Sequence, residues 1–182
     1  MAVIYIWKLI IWVVWGVLLV VLVLALDERL KGGSPVVARV ATAFGLIWAA
    51  LEIAGGMIAT SGIDTVVSLF ASNPVQATSL WLALDAVERG LGDGNLIVGG
   101  LWVLLVSSAA LQAGELHKAL NYLGLVIWAA GLLAFVPPLA GLGFIFGFGL
   151  ILWFAWLGIV MLRGNSNTEE PRAPEVVTKK SE

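Results

Sequence analysis

The sequence predicts an all-α protein: a polytopic transmembrane helix bundle of about five spans with one amphipathic interfacial helix. Of its 182 residues, 60% are hydrophobic and 12% are charged, whereas a soluble domain is roughly half apolar and a quarter charged. A soluble core of this size cannot hide so much apolar surface. The apolar residues also form unbroken runs of helical length and do not alternate with polar ones as in membrane β-barrels.

Five apolar segments are predicted to cross the bilayer. They cover residues 9–26, 36–60, 96–112, 120–136 and 139–162. The first ends at Asp27 and the second follows a Gly-Gly-Ser-Pro turn. Asn95 is a candidate N-cap for the third, and Pro137 and Pro138 separate the last two. We expect the first segment to remain a membrane helix, because it is longer and richer in tryptophan than a signal peptide and little positive charge precedes it.

Residues 61–94 are more polar than the runs on either side. Ser72-Asn73-Pro74 is a helix-start pattern, with a polar cap before a proline at the first helical position, and Gly90 is a candidate stop. The segment between them has an apolar face and a charged face, which favours a helix lying in the membrane interface. A sixth span over residues 66–84, kinked at Pro74, is the alternative.

The charge distribution predicts two regions and one orientation. Residues 1–163 form the integral membrane domain, and residues 164–182 form a polar cytoplasmic tail with too few apolar residues to fold alone. Lysine and arginine are concentrated in the loop around residues 29–39, in the loop at Lys118 and after Arg163. Because short positively charged loops stay in the cytoplasm, five spans place the N-terminus outside and the C-terminus in the cytoplasm.

Glu52 is the candidate functional residue inside the membrane. An ionisable side chain in a transmembrane helix is costly and usually faces the bundle interior or a partner. Lys8, at the outer end of the first segment, is long enough to extend towards it. We therefore expect a Lys8–Glu52 pair; a structural ion-pair anchor, a proton or cation site and a subunit contact remain open for Glu52.

Four carboxylates form a predicted outer acidic face. They are Asp64, Asp85, Glu88 and Asp93. Oxygen ligands of this kind bind divalent cations, but the spacing of a dedicated calcium loop is missing. Asp85 and Arg89 are four residues apart, as in an ordinary helical ion pair. We therefore expect a solvated face and no metal site.

Glycines are the candidates for helix packing. Gly143 and Gly147 have the small-xxx-small spacing that lets helix backbones approach closely, and Gly55 and Gly56 provide a second small surface in the second span. The partner helix is predicted to belong either to the same chain or to another copy.

Three stretches carry a resemblance to a known group of proteins. They are SLWLALDAVERGLGDGN at residues 79–95, GGLWVLL at 99–105 and ALNYLG at 119–124. In glycine and tryptophan placement, the chain from Ala41 to Arg163 resembles uncharacterised bacterial multi-pass membrane proteins, which are grouped as domains of unknown function. The resemblance implies a helical protein of the bacterial inner (plasma) membrane and supplies no activity or site residue.

The residue inventory narrows the function. The chain has no cysteine and a single histidine, His117, which excludes thiolate sites and sites built from several histidines of one chain. We expect no cofactor and no catalysis, and no nucleic-acid partner because no basic stripe is present.

The expected role is an accessory or structural subunit of a membrane complex or homo-oligomer, with the bilayer and other subunits or copies of itself as partners. A small transporter or channel using Glu52 is the alternative, and an enzyme using the outer carboxylates is a third possibility.

Overall fold

The computed structural model describes residues 2–166, with the side chains at 2, 4, 92–96 and 164–166 left aside. Over this range the chain is helical without strands, which confirms the all-α prediction. The elements are α1 (Ala2–Lys8), a π-helix (Leu9–Val14), α2 (Trp15–Leu30), α3 (Pro35–Phe70), α4 (Pro74–Ala113), α5 (Lys118–Leu133), a 3-10 turn (Pro137–Leu139) and α6 (Leu142–Ser166).

The first three elements form one continuous N-terminal helix. Lys8, Val14 and Trp15 at the junctions all have right-handed helical φ and ψ, so the chain passes from α1 through the π-helix into α2 without a turn. A π-helix has wider turns than an α-helix and is found mostly as short insertions, frequently at functional sites.

A long helical hairpin is the largest feature of the fold. At 1.5 Å per residue, α3 with 36 residues and α4 with 40 residues are about 54 and 60 Å long. The turn between them ends at Asn73, whose side-chain oxygen accepts a hydrogen bond from the backbone N–H of Gln76 at 3.1 Å. Pro74 follows at the first helical position, so the predicted helix start at Ser72-Asn73-Pro74 is confirmed.

The hairpin corrects the prediction of a separate interfacial helix. Residues 66–84 contain the turn between α3 and α4, so they do not form a sixth span, and the segment predicted as an interfacial helix between Asn73 and Gly90 is the first part of α4. Helix α4 continues through Gly90 and through Asn95, which is therefore not a helix start. A glycine inside a helix costs only about 1 kcal/mol, and packing of α4 along α3 outweighs that cost.

Each helix packs mainly on its neighbours in the sequence. The N-terminal helix packs on α3, α3 on α4, α4 on α5, and α5 on α6. The core lies between these pairs and includes Leu19, Val23, Ala49, Trp102, Val106, Leu120, Ile127, Trp153 and Leu157.

Tryptophan rings fill notches left by glycines at the helix contacts. A Cβ added at Gly99 would lie 2.8 Å from the ring of Trp48, and one added at Gly45 would lie 2.5 Å from Nε1 of Trp102. Trp102 and Trp153 are 1% and 0% exposed. Glycines on the facing helices open space for them in the core, Gly45 for Trp102 and Gly124 for Trp153.

Three helices are long and apolar enough to cross a membrane, so the structure does not confirm the count of five. These stretches are Tyr5–Leu30, Pro35–Phe70 and Leu142–Arg163. Two further apolar stretches, Ile97–Ala113 and Lys118–Leu133, are shorter than 18 residues. The predicted tail begins two residues before the end of α6 at Ser166, and from residue 167 onward it lies outside the described residues.

Leucine at Gly99 is expected to destabilise the bundle by about 1–3 kcal/mol, because the added side chain overlaps the Trp48 ring in a packed core. The matched control is Gly158→Leu, since a Cβ at Gly158 meets nothing within 4 Å. Thermal unfolding in mild detergent, followed by circular dichroism, measures both variants. Equal unfolding temperatures for the two variants would contradict the notch packing.

Candidate functional site

A groove of about 710 Å³ lies between the N-terminal helix, α3 and α6. Glu52 is the one charged residue among those that line it; the others are apolar or aromatic. The lining consists of Ile10, Ile11, Trp12, Val14, Trp15, Leu18, Trp48, Glu52, Gly147, Leu150, Ile151 and Phe154. A large apolar pocket with few polar groups is the usual form of a binding site for small molecules.

Glu52 is held against the groove wall by its own helix. Its carboxylate accepts a hydrogen bond of 3.0 Å from the indole Nε1 of Trp48, one turn earlier on α3. Trp48 is 4% exposed and its ring centroid lies 5.6 Å from that of Trp102 and 6.1 Å from that of Phe154. Because the donor is fixed in the core, the carboxylate has a defined position beside the groove.

The π-helix and a glycine pair bring the two walls together. Gly55 and Gly56 lie against Trp12, where a Cβ at Gly56 would be 2.5 Å from the Trp12 Cβ. On the opposite wall, the Trp15 ring meets Phe154 of α6 edge to face, with centroids 4.9 Å apart. These contacts position three aromatic residues around the same space as Glu52.

The structure pairs Lys8 with Glu88 instead of the expected Glu52. Lys8 Nζ lies 2.9 Å from the Glu88 carboxylate, with both side chains about three-quarters buried. The register explains the change. Trp12 lies against Gly56, which places Lys8 level with about residue 60. Glu52 is therefore about eight residues, or about 12 Å, deeper.

The predicted outer acidic face divides into separate contacts. Glu88 bonds to Lys8, Asp85 pairs with Arg89 at 2.6 Å, and Asp64 is exposed on α3. The Asp93 side chain lies outside the described residues. Within the described part of the chain, no three acidic or histidine side chains come together in a way that could hold a metal ion.

The two predicted glycine surfaces occupy different environments. Gly55 and Gly56 are buried against the N-terminal helix, whereas Gly147 faces the groove and a Cβ there would meet nothing within 4 Å. At Gly143 the nearest neighbour is the Ala134 Cβ, at 4.0 Å. Gly147 therefore leaves space beside α6.

Sequence reasoning missed a set of polar contacts at the other end of the bundle. Thr42 donates to Asp27 at 2.8 Å, Arg29 Nε donates to Glu115 at 3.0 Å, and Ser34 donates to Gln112 at 3.0 Å. Of these residues, only Arg29 bears on the sequence prediction, through the charge that indicates orientation. The available signal was that polar residues recur at the ends of all three apolar runs that meet there.

Comparison with protein-family models, with curated proteins and with solved structures finds no match for this chain.

Reversing one charge of the Lys8–Glu88 pair, by Lys8→Glu or Glu88→Lys, is expected to lower stability, and the double exchange is expected to recover about 0.5–1 kcal/mol of coupling. A double-mutant cycle on detergent unfolding measures the coupling. The reference pair is Lys31 and Glu28, which is exposed on a single helix end and should show a smaller coupling. Additive effects of the two reversals would show that the pair does not hold the N-terminal helix to α4.

Proposed function

We propose that this chain is a multi-pass protein of the bacterial inner membrane that acts without catalysis, as an accessory or structural subunit of a membrane complex or homo-oligomer. Three helices long and apolar enough to cross a bilayer support the membrane location. Two further crossings are assigned to Ile97–Ala113 and Lys118–Leu133, which give five spans when the bilayer thins locally around these shorter helices.

The proposed topology places the N-terminus outside and the C-terminus in the cytoplasm. Arg29, Lys31 and Lys118 then lie at cytoplasmic helix ends, beside short loops, as the positive-inside rule requires. Helices α3 and α4 are about 24 and 30 Å longer than the roughly 30 Å hydrocarbon core. The polar end of their hairpin, from about Ser61 to Arg89, therefore extends outside the membrane and offers surface to a partner subunit.

The observation that carries the structural role is that charged side chains join helices to one another. Lys8–Glu88 ties the N-terminal helix to α4, and Arg29–Glu115 ties α2 to the turn before α5. Asp27 bonds to Thr42 across the α2–α3 turn. These charged groups stabilise separate contacts between helices and do not converge on one binding or catalytic site. That arrangement is expected of a structural membrane protein.

Purification from native membranes in mild detergent is expected to yield the chain in a complex with further copies or with another membrane protein. Native mass spectrometry gives the stoichiometry and the identity of the other subunits. The alternative result is a monomer that carries lipid alone, even when the protein is reconstituted at high density. That result would refute the accessory and structural role.

A small carrier or channel is the second candidate, and the position of Glu52 in the groove favours it. Glu52→Gln keeps the side-chain shape and an oxygen that can accept from Trp48, but removes the charge. If the chain is a carrier, this variant abolishes proton-coupled or cation flux into proteoliposomes while the complex and the fold persist. If the complex dissociates instead, the carrier function is refuted; Glu28→Gln, outside the groove, serves as the matched control.

A further inference from the structure

We propose that the groove between the N-terminal helix, α3 and α6 binds a lipophilic organic cation: an apolar, ring-bearing body with one quaternary or protonated cationic centre beside Glu52. This inference rests on the membrane insertion proposed above and does not depend on the accessory role. It assigns a ligand class to the groove that contains Glu52.

The charge of the ligand follows from the lining. One carboxylate, Glu52, faces a space bounded otherwise by hydrocarbon and aromatic rings. In surroundings of low polarity a carboxylate attracts a cation more strongly than it does in water. An anionic ligand is repelled there. A single carboxylate without a cluster of further oxygen ligands suits an organic cation better than a divalent metal ion.

The aromatic residues support the same class. Trp12, Trp15 and Phe154 surround the groove together with Trp48, and the faces of such rings attract cations, most strongly for tryptophan. Because Trp48 donates its N–H to Glu52 at 3.0 Å, it orients the carboxylate while its ring contributes to the wall. The site therefore combines a carboxylate held in a defined position with aromatic surfaces, the combination that recognises bulky ammonium or phosphonium groups.

The size and accessibility of the groove determine the body of the ligand. A volume of about 710 Å³ lies in the range of pockets that enclose drug-sized molecules. Lining residues on both rims are exposed at the outer surface of the bundle, including Ile11 at 52%, Leu18 at 58% and Ile151 at 68%. In the membrane this surface faces lipid, so the ligand enters sideways from the bilayer and must itself be lipophilic.

The test measures binding of tetraphenylphosphonium to the full chain in lipid nanodiscs by equilibrium dialysis, with empty nanodiscs as the correction for partition into lipid. Saturable binding is expected for the wild type. Glu52→Gln is expected to weaken it at least tenfold, whereas Glu28→Gln, which removes a carboxylate outside the groove, should change it less than twofold. Triphenylphosphine oxide, a neutral compound of related shape, should bind at least tenfold more weakly than the cation.

A second pair of variants locates the ligand without altering Glu52. Gly147→Leu places a side chain in the open space of the groove and should abolish saturable binding, while Gly158→Leu, on the same helix and outside the groove lining, should not. This pair tests whether the probe binds in the groove even if Glu52→Gln fails to fold, as judged by circular dichroism and size-exclusion chromatography.

Three outcomes would overturn the proposal: partition no greater than in empty nanodiscs, equal binding of the neutral compound, or binding that survives Gly147→Leu in a folded protein. Equal binding of the neutral compound would indicate a groove for uncharged lipid. Each outcome is separate from the assembly measurement, because the mass of the native complex is determined without the probe.

Discussion

The fit of tryptophan rings into glycine notches is the contact on which the rest of this bundle depends. Between helices in a bilayer the hydrophobic effect gives little net attraction, since lipid is as apolar as the side chains. Association must come from close packing and polar contacts. Helices α3 and α4 each insert a tryptophan beside a glycine of the other, Trp48 beside Gly99 and Trp102 beside Gly45. Trp12 beside Gly56 attaches the N-terminal helix to α3 in the same way.

The groove lies where this close packing ends. The N-terminal helix packs on α3, and α6 packs on α5, while Trp15 and Phe154 bring the two outer helices into contact. Beside that contact, Gly147 adds no side chain to fill the space. The same residue type therefore has opposite consequences: buried glycines on α3 and α4 admit a ring, whereas an open glycine on α6 leaves a cavity next to Glu52.

The charged residues divide by depth. Lys8–Glu88 lies towards one end of the bundle, and Arg29–Glu115 with Asp27–Thr42 lies towards the other. Each contact joins residues of two different elements. The few charges of this strongly apolar chain therefore help to fix which helix ends lie at the same depth in the bundle. Glu52 lies between these two levels and borders the groove, while the charges at the two ends pair across helices.

The sequence by itself determined the helical class, the apolar runs, the start of α4 at Asn73 and Pro74, and the prominence of Glu52. These follow from local composition, because a long apolar run must satisfy its backbone internally as a helix. Tertiary structure alone decided that Gly90 and Asn95 lie within a 40-residue helix, that Lys8 pairs with Glu88, and that Trp102 and Trp153 are core residues. Each of these depends on the register between α3 and its neighbours, and register arises from the fit of side chains far apart in the chain, which the periodicity of one segment does not record.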